Sequence, residues 1–379
     1  MAELIANGKN RRLRIRHRGR SAQVWIYLGK LLRMFIYQND WKVLPMAALI
    51  AGLVGMVIRT RLFVNMEGTL MGSFALVMVC IWNGCFNSIQ VICRERDVIK
   101  REHRSGMHIS SYICAHMIYQ ALLCMMQTAV TVYITKAVGV EYKGEGLVTS
   151  FLIVDFGISM FLIAYASDML SLWVSTLAKS TTAAMTIMPF VLIFQLVFSG
   201  GMLSLPAWTD SITPLTISNP ALKVLAAQSN YNSRPVMTVW NTVNNMKDRE
   251  VNTTVSLGQA MDLLQKKDNP YIAEFRGMEL DNGLTVGSML DAVAESPEVQ
   301  AHREDSYTFN STVGEIVDLI GVDRVRDLLQ NKIAEASQVP DYDYSLENVL
   351  GYWMQLILFV LVFAALSTIT LEFIDKDKR

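Results

Sequence analysis

The sequence has only five cysteines, and all of them (Cys80, Cys85, Cys93, Cys114 and Cys124) fall in two apolar stretches, leaving none in the long polar region after residue 203. No disulfide holds that region, so it is expected to fold on its own core. Histidine is as scarce, and His302 is the only one in the polar region, which argues against a zinc site and against a His-based triad there. Cys and His pairs at metal-ligand spacing are missing, so no metal is expected. A GxxxxGK[ST] loop is also missing, and the chain is expected to bind no ATP in the P-loop manner. Net charge is zero, with 34 basic and 34 acidic residues, which removes any general reason to expect a nucleic-acid partner. The basic run Lys9, Arg11, Arg12, Arg14, Arg16, Arg18 and Arg20 is followed by no apolar core, so a secretory signal peptide is not expected.

What abounds is apolar character: 52% of the 379 residues are hydrophobic and 18% charged. That is too apolar for an ordinary soluble enzyme and too charged for a chain buried in lipid throughout, so the two characters should be segregated. Crossing the hydrocarbon layer takes roughly 20 mostly apolar residues. Six such stretches are expected, at about 42–63, 68–93, 109–137, 147–175, 181–203 and 349–373. Ahead of them, residues 22–38 place Val24, Tyr27, Leu28, Leu31, Leu32, Phe35 and Ile36 at helical spacing beside Lys30 and Arg33. This pattern describes an amphipathic helix on a membrane surface or on a soluble partner. The expected fold class is mainly α, a polytopic membrane protein.

Basic residues near span ends set the orientation. The N-terminal run and the segment 94–106, with Arg94, Arg96, Lys100, Arg101 and Arg104, mark the cytoplasmic side. Six spans return the C-terminal Lys376, Lys378 and Arg379 to that side. Arg59 and Arg61 fall on the opposite side, a local exception that fits contact with lipid headgroups. The same topology divides the chain into a basic cytoplasmic segment (1–21), the amphipathic helix with five spans (22–203), an acidic extracytoplasmic helical domain (204–346), and the last span with a cytoplasmic tail (347–379).

Within 204–346 one phrase recurs: SLGQAMDLL at 256–264, TVGSMLDAV at 285–293 and TVGEIVDLI at 312–320. Each opens on a hydroxyl residue able to cap a helix, and Ser256 with Gln259 and Thr312 with Glu315 have capping-box spacing. A fourth helix is expected at about 322–335. Chance among short amphipathic helices would also produce the repeat. Asn252-Thr-Thr and Asn310-Ser-Thr match the glycosylation acceptor pattern, which arises by chance in an Asn- and Thr-rich segment as well. Asp155 and Asp168, inside the fourth span, are candidates for proton or substrate coupling unless they reach water at its ends.

Six spans with no cofactor motif leave a transporter, a channel or a membrane sensor. Four collinear pieces narrow that choice: NGCFNS (Asn83 to Ser88), RERDVIKREHRSGMHISSY (Arg94 to Tyr112), AYASDM (Ala164 to Met169) and VFSGGMLSL (Val197 to Leu205). Their order and spacing resemble the transmembrane domain of the G subfamily of ABC transporters and its bacterial type-2 permease relatives, over roughly residues 22–210 and 349–375. The resemblance implies an exporter permease without ATPase motifs, partnered with an ABC ATPase domain that carries ATP and Mg. It also implies a second permease copy across a central cavity, surrounding membrane lipids, and residence in the plasma membrane. By the same resemblance Asn83, Phe86, Ile193 and Leu196 line the substrate cavity, Met202 and Leu203 form an outer gate, and Glu95, Arg101, Glu102 and His103 couple to the ATPase. Packing of Phe86 against lipid and of Asn83 against another helix is the alternative. The resemblance also departs in two places: the external segment is longer than the family's loop, and Gly201-Met202 stands where well-studied exporters have a leucine pair. A membrane sensor or assembly subunit whose external domain binds a ligand is the alternative function.

Overall fold

The computed structural model describes residues 19–37, 40–142, 144–200, 209, 211–265, 270–279 and 285–373. The chain forms two compact units, one of residues 237–333 and one of the remainder. The smaller unit is narrower than the 204–346 segment expected from sequence.

The larger unit is helical. It opens with α1 (Arg20–Tyr37), α2 (Val43–Ile58), α3 (Met66–Ser88) and α4 (Val91–Arg104). These are followed by α5 (Ile109–Val138), α6 (Leu152–Leu177), α7 (Thr181–Val197) and α8 (Ser218–Gln228). Among the described residues five helical stretches are long and apolar enough to cross a membrane: Asp40–Ile58, Met66–Arg104, Ile109–Val138, Leu152–Leu177 and Leu346–Glu372. Helix α7 is shorter, with 17 residues. Asn65 and Ser180 cap α3 and α7 by accepting from the Gly68 and Ala183 amides, which fixes where these apolar helices begin.

The core lies between α3 and α6. Gly84 makes their close approach possible, because a Cβ there would collide with the Ala164 carbonyl. Ser167 Oγ donates to Ile81 O at 2.8 Å, and Cys85 Sγ lies 2.8 Å from Ser167 Oγ. The NGCFNS and AYASDM segments therefore pack on each other.

Helix α8 lies in this unit rather than in the smaller one, and all but one of its residues are buried. Its ends are tied by polar side chains. The Ser218 amide donates to Gln195 Oε1 at 3.1 Å, and Gln228 Nε2 donates to Asp155 O at 3.3 Å. Ser159 Oγ bridges the neighbourhood, donating to Gln228 Oε1 at 2.9 Å and accepting from Trp353 Nε1 at 2.7 Å.

The smaller unit holds α9 (Thr238–Asn245), β1 (Glu250–Ser256), α10 (Leu257–Gln265), α11 (Pro270–Arg276) and α12 (Val286–Ala294). After them come α13 (Pro297–Ala301), β2 (Ser306–Thr312), α14 (Val313–Ile320) and α15 (Val322–Asp327). Helix α15 runs through a π-helical turn, Leu328–Lys332, into α16 (Ile333–Ala336), close to the fourth helix expected. In the larger unit α17 (Leu346–Glu372) ends the described chain.

The expectation of a mainly helical domain omitted a strand pair: β1 and β2 are antiparallel, with Glu250 opposite Thr312 and Ser256 opposite Ser306. Asn252 and Asn310, the two acceptor-pattern asparagines, are direct cross-strand partners. The threefold phrase has one local geometry. Ser256, Thr285 and Thr312 each cap the following helix. The next amides, of Leu257, Val286 and Val313, donate to the carbonyls of Asp305, Met278 and Arg249. The following glycines let those segments pass: a Cβ at Gly258, Gly287 or Gly314 would meet Arg303, Arg276 or Lys247 within 3.2 Å.

Candidate functional site

The expected coupling residues lie on α4, which is a helix locked at both ends. The Ile92 and Cys93 amides, unpaired at its N-terminus, donate to Ser175 Oγ at 3.1 and 3.2 Å. In return Arg96 Nη1 donates to Thr176 O and Ala178 O at 3.1 and 2.9 Å, satisfying carbonyls at the C-terminal end of α6. Arg96 had no place among the expected site residues; its signal is a fixed cation one turn inside a charged helix.

Helix α1 packs along α5 and reaches α4 and the turn after it through three polar side chains at helical spacing. Gln23 Oε1 accepts from the His108 amide at 2.9 Å and Gln23 Nε2 donates to Gly106 O at 3.3 Å. The Tyr27 hydroxyl donates to Glu102 Oε2 at 3.0 Å, and Lys30 pairs with Glu95 at 3.3 Å. The Tyr112 hydroxyl adds a 3.4 Å bond to Glu95. Burial, aided by the bond to Glu102, pushes the Tyr27 pKa well above its ordinary value. The apolar stripe of α1, Leu28 and Leu31, packs on Ala115 of α5. Of the four expected coupling residues, Glu95 and Glu102 thus bind α1, His103 Nδ1 lies 3.2 Å from Met107 O, and Arg101 is exposed.

The expected cavity residues sit on outward faces of α3 and α7. Phe86 is 52% exposed, Ile193 58% and Leu196 39%, with Phe190 beside them at 71%, while Asn83 is half-buried. Met202 and Leu203, the expected gate, lie outside the described residues. Phe86 and Glu95 both line a cavity of about 250 Å³, along with Asn87, His116 and Gln120.

Behind Phe86, buried polar groups tie the helices together. Asn87 and Gln127 exchange amide hydrogen bonds of 2.7 and 3.1 Å, and Gln120 Nε2 donates to Ser88 Oγ at 2.6 Å. Cys124 Sγ lies 3.6 Å from Asp168 Oδ2, and Asp168 is fully buried. Asp155 has a structural task, accepting the Val148 and Thr149 amides at 2.9 Å each and so tethering the loop before α6. Among the described residues no group of three or more His, Cys, Asp or Glu is placed to hold a metal ion.

Residues 21–220, more than half of the chain, match the family model described as ABC-2 type transporter. Over 127 residues the chain is 30% identical to an ABC transporter ATP-binding/permease protein of Mycobacterium tuberculosis, a stretch covering 32% of this chain and 14% of that protein.

Proposed function

The chain belongs to the ABC-2 type transporter family, and from that premise we propose that it is the membrane-spanning half of an ATP-driven exporter. In this reading six helices, α2, α3, α5, α6, α7 and α17, cross the plasma membrane. Helix α1 rests on the cytoplasmic surface, and both termini are cytoplasmic. An ABC ATPase domain bearing ATP and Mg docks on the α4 side, with Arg101 as the exposed contact and Glu95 and Glu102 passing motion to α1. The joined ATP-binding and permease functions in the name of the mycobacterial relative support that partnership. A second permease copy faces α3 and α7, and an amphiphilic substrate, lipid-like, drug or peptide, is held between Asn83, Phe86, Ile193 and Leu196. Met202 and Leu203 form the outer gate, and residues 204–346 are extracytoplasmic.

The observation that carries this reading is the outward face of α7 with Phe86 of α3. Large apolar side chains stand exposed there beside the half-buried amide of Asn83. Aromatic faces stack on flat or apolar groups while an amide supplies one directed hydrogen bond, which suits an amphiphile. The test is Phe86→Ala in the reconstituted complex. The ratio of substrate-stimulated to basal ATP hydrolysis should fall severalfold, and an unchanged ratio would remove Phe86 from the cavity.

A further inference from the structure

Arg59 and Arg61 are basic residues on the side where the proposed topology calls for few, and the exporter reading gives them no task. Both are exposed in the short segment between α2 and α3. Within that segment Phe63 adopts φ 66°, the left-handed region that bulky side chains avoid. Such a conformation costs about 1–3 kcal/mol and persists only where surrounding contacts hold it. Here Tyr142 and Phe156 meet the Phe63 ring edge-on, with centroids 5.9 and 5.7 Å away. Arg234 lies over the same ring, its Cζ 5.9 Å from the centroid. Its guanidinium is fixed by bonds of 3.3 Å from Nε and 3.2 Å from Nη2 to Ser229 O. A cavity of about 460 Å³ opens against this arrangement, lined by Arg59, Phe63, Val64, Val138, Glu141 and Arg234.

We propose that this cavity holds the phosphodiester headgroup of a membrane phospholipid, with Arg59 and Arg234 on its phosphate and Val64 and Val138 against its apolar part. Two arginines against one glutamate leave a positive balance, and guanidinium groups match phosphate oxygens in geometry as well as charge. The apolar walls favour a lipid over free phosphate, and the cavity lies where α2 and α5 end, the level at which headgroups meet a spanning protein. The strained Phe63 turns an aromatic platform under Arg234, so the cation is in place before the lipid arrives. The site does not depend on the direction of transport or on ATP.

Native mass spectrometry of the full chain, stripped of lipid in detergent and titrated with phosphatidylglycerol, tests the assignment. One lipid per chain should be retained, and Arg59→Gln and Arg234→Gln should each weaken retention about tenfold, the scale of one lost charge-assisted contact. Diacylglycerol with the same acyl chains should not be retained. Arg59 is exposed and makes no side-chain hydrogen bond among the described residues, so its variant reports on binding even where Arg234→Gln fails to fold. Wild-type retention in Arg59→Gln, equal retention of diacylglycerol, or displacement by equimolar inorganic phosphate would overturn the proposal.

Discussion

The Tyr27 hydroxyl of α1 donates a 3.0 Å hydrogen bond to Glu102 Oε2 of α4, midway between the Gln23 and Lys30 contacts of the same helix face. Side chains therefore connect α1 directly to α4 and the turn after it. Tyr27→Phe should cost about 1 kcal/mol of stability, the net worth of one such bond. It should also lower ATP-driven transport more than ATP hydrolysis in the reconstituted complex. Parallel loss of both would mean that the contact is structural only.

The same contact predicts a pH dependence. The folded state raises the Tyr27 pKa, so the stability it confers is complete below the unfolded value of about 10 and is lost as pH climbs through the raised value. Hydrogen exchange of α1 should stay flat between pH 6 and 9, after correction for the intrinsic rate, and rise only above about pH 10. A rise near neutrality would contradict the assignment.

Gly84→Val should destabilise the chain in detergent by about 1–3 kcal/mol or more, because overpacking has no room to relax against a backbone carbonyl. Gly157 has open space around it, so Gly157→Ala should leave the melting temperature within a degree or two.

Residues 237–333 form a compact unit whose strands β1 and β2 join segments far apart in sequence, from Ser256 opposite Ser306 to Glu250 opposite Thr312. The excised unit should show helical circular dichroism with a β contribution and unfold cooperatively. Thr312→Ala removes a complete capping box, worth about 1 kcal/mol, and should lower its midpoint by about 4–8 °C. A non-cooperative transition would show that the unit leans on the rest of the chain.

The helices of the larger unit were legible because apolar runs and caps are local properties. The stretches expected at 109–137 and 349–373 appear as Ile109–Val138 and Leu346–Glu372. Ser256, Thr285 and Thr312 were legible as caps for the same reason. Strands β1 and β2 were not, since each spans seven residues beside a helix cap and pairs with a partner invisible to any local pattern. Helix α8 was missed because its short run cannot cross a membrane alone; it is buried against α3, α6 and α17, which come from distant parts of the chain. In the candidate site, Phe86 and Glu102 could be named from the resemblance. That Glu102 binds Tyr27 and that Arg96 closes the end of α6 depends on long-range geometry.

The central claim is that this chain moves an amphiphile across the membrane only when an ABC ATPase hydrolyses ATP. The direct measurement is flux of a fluorescent amphiphile in sealed proteoliposomes holding the permease with its ATPase, with ATP supplied on the α4 side. The account predicts flux that requires ATP, ceases with a non-hydrolysable analogue, and falls severalfold in Phe86→Ala. Equal flux without ATP or without the ATPase would contradict it.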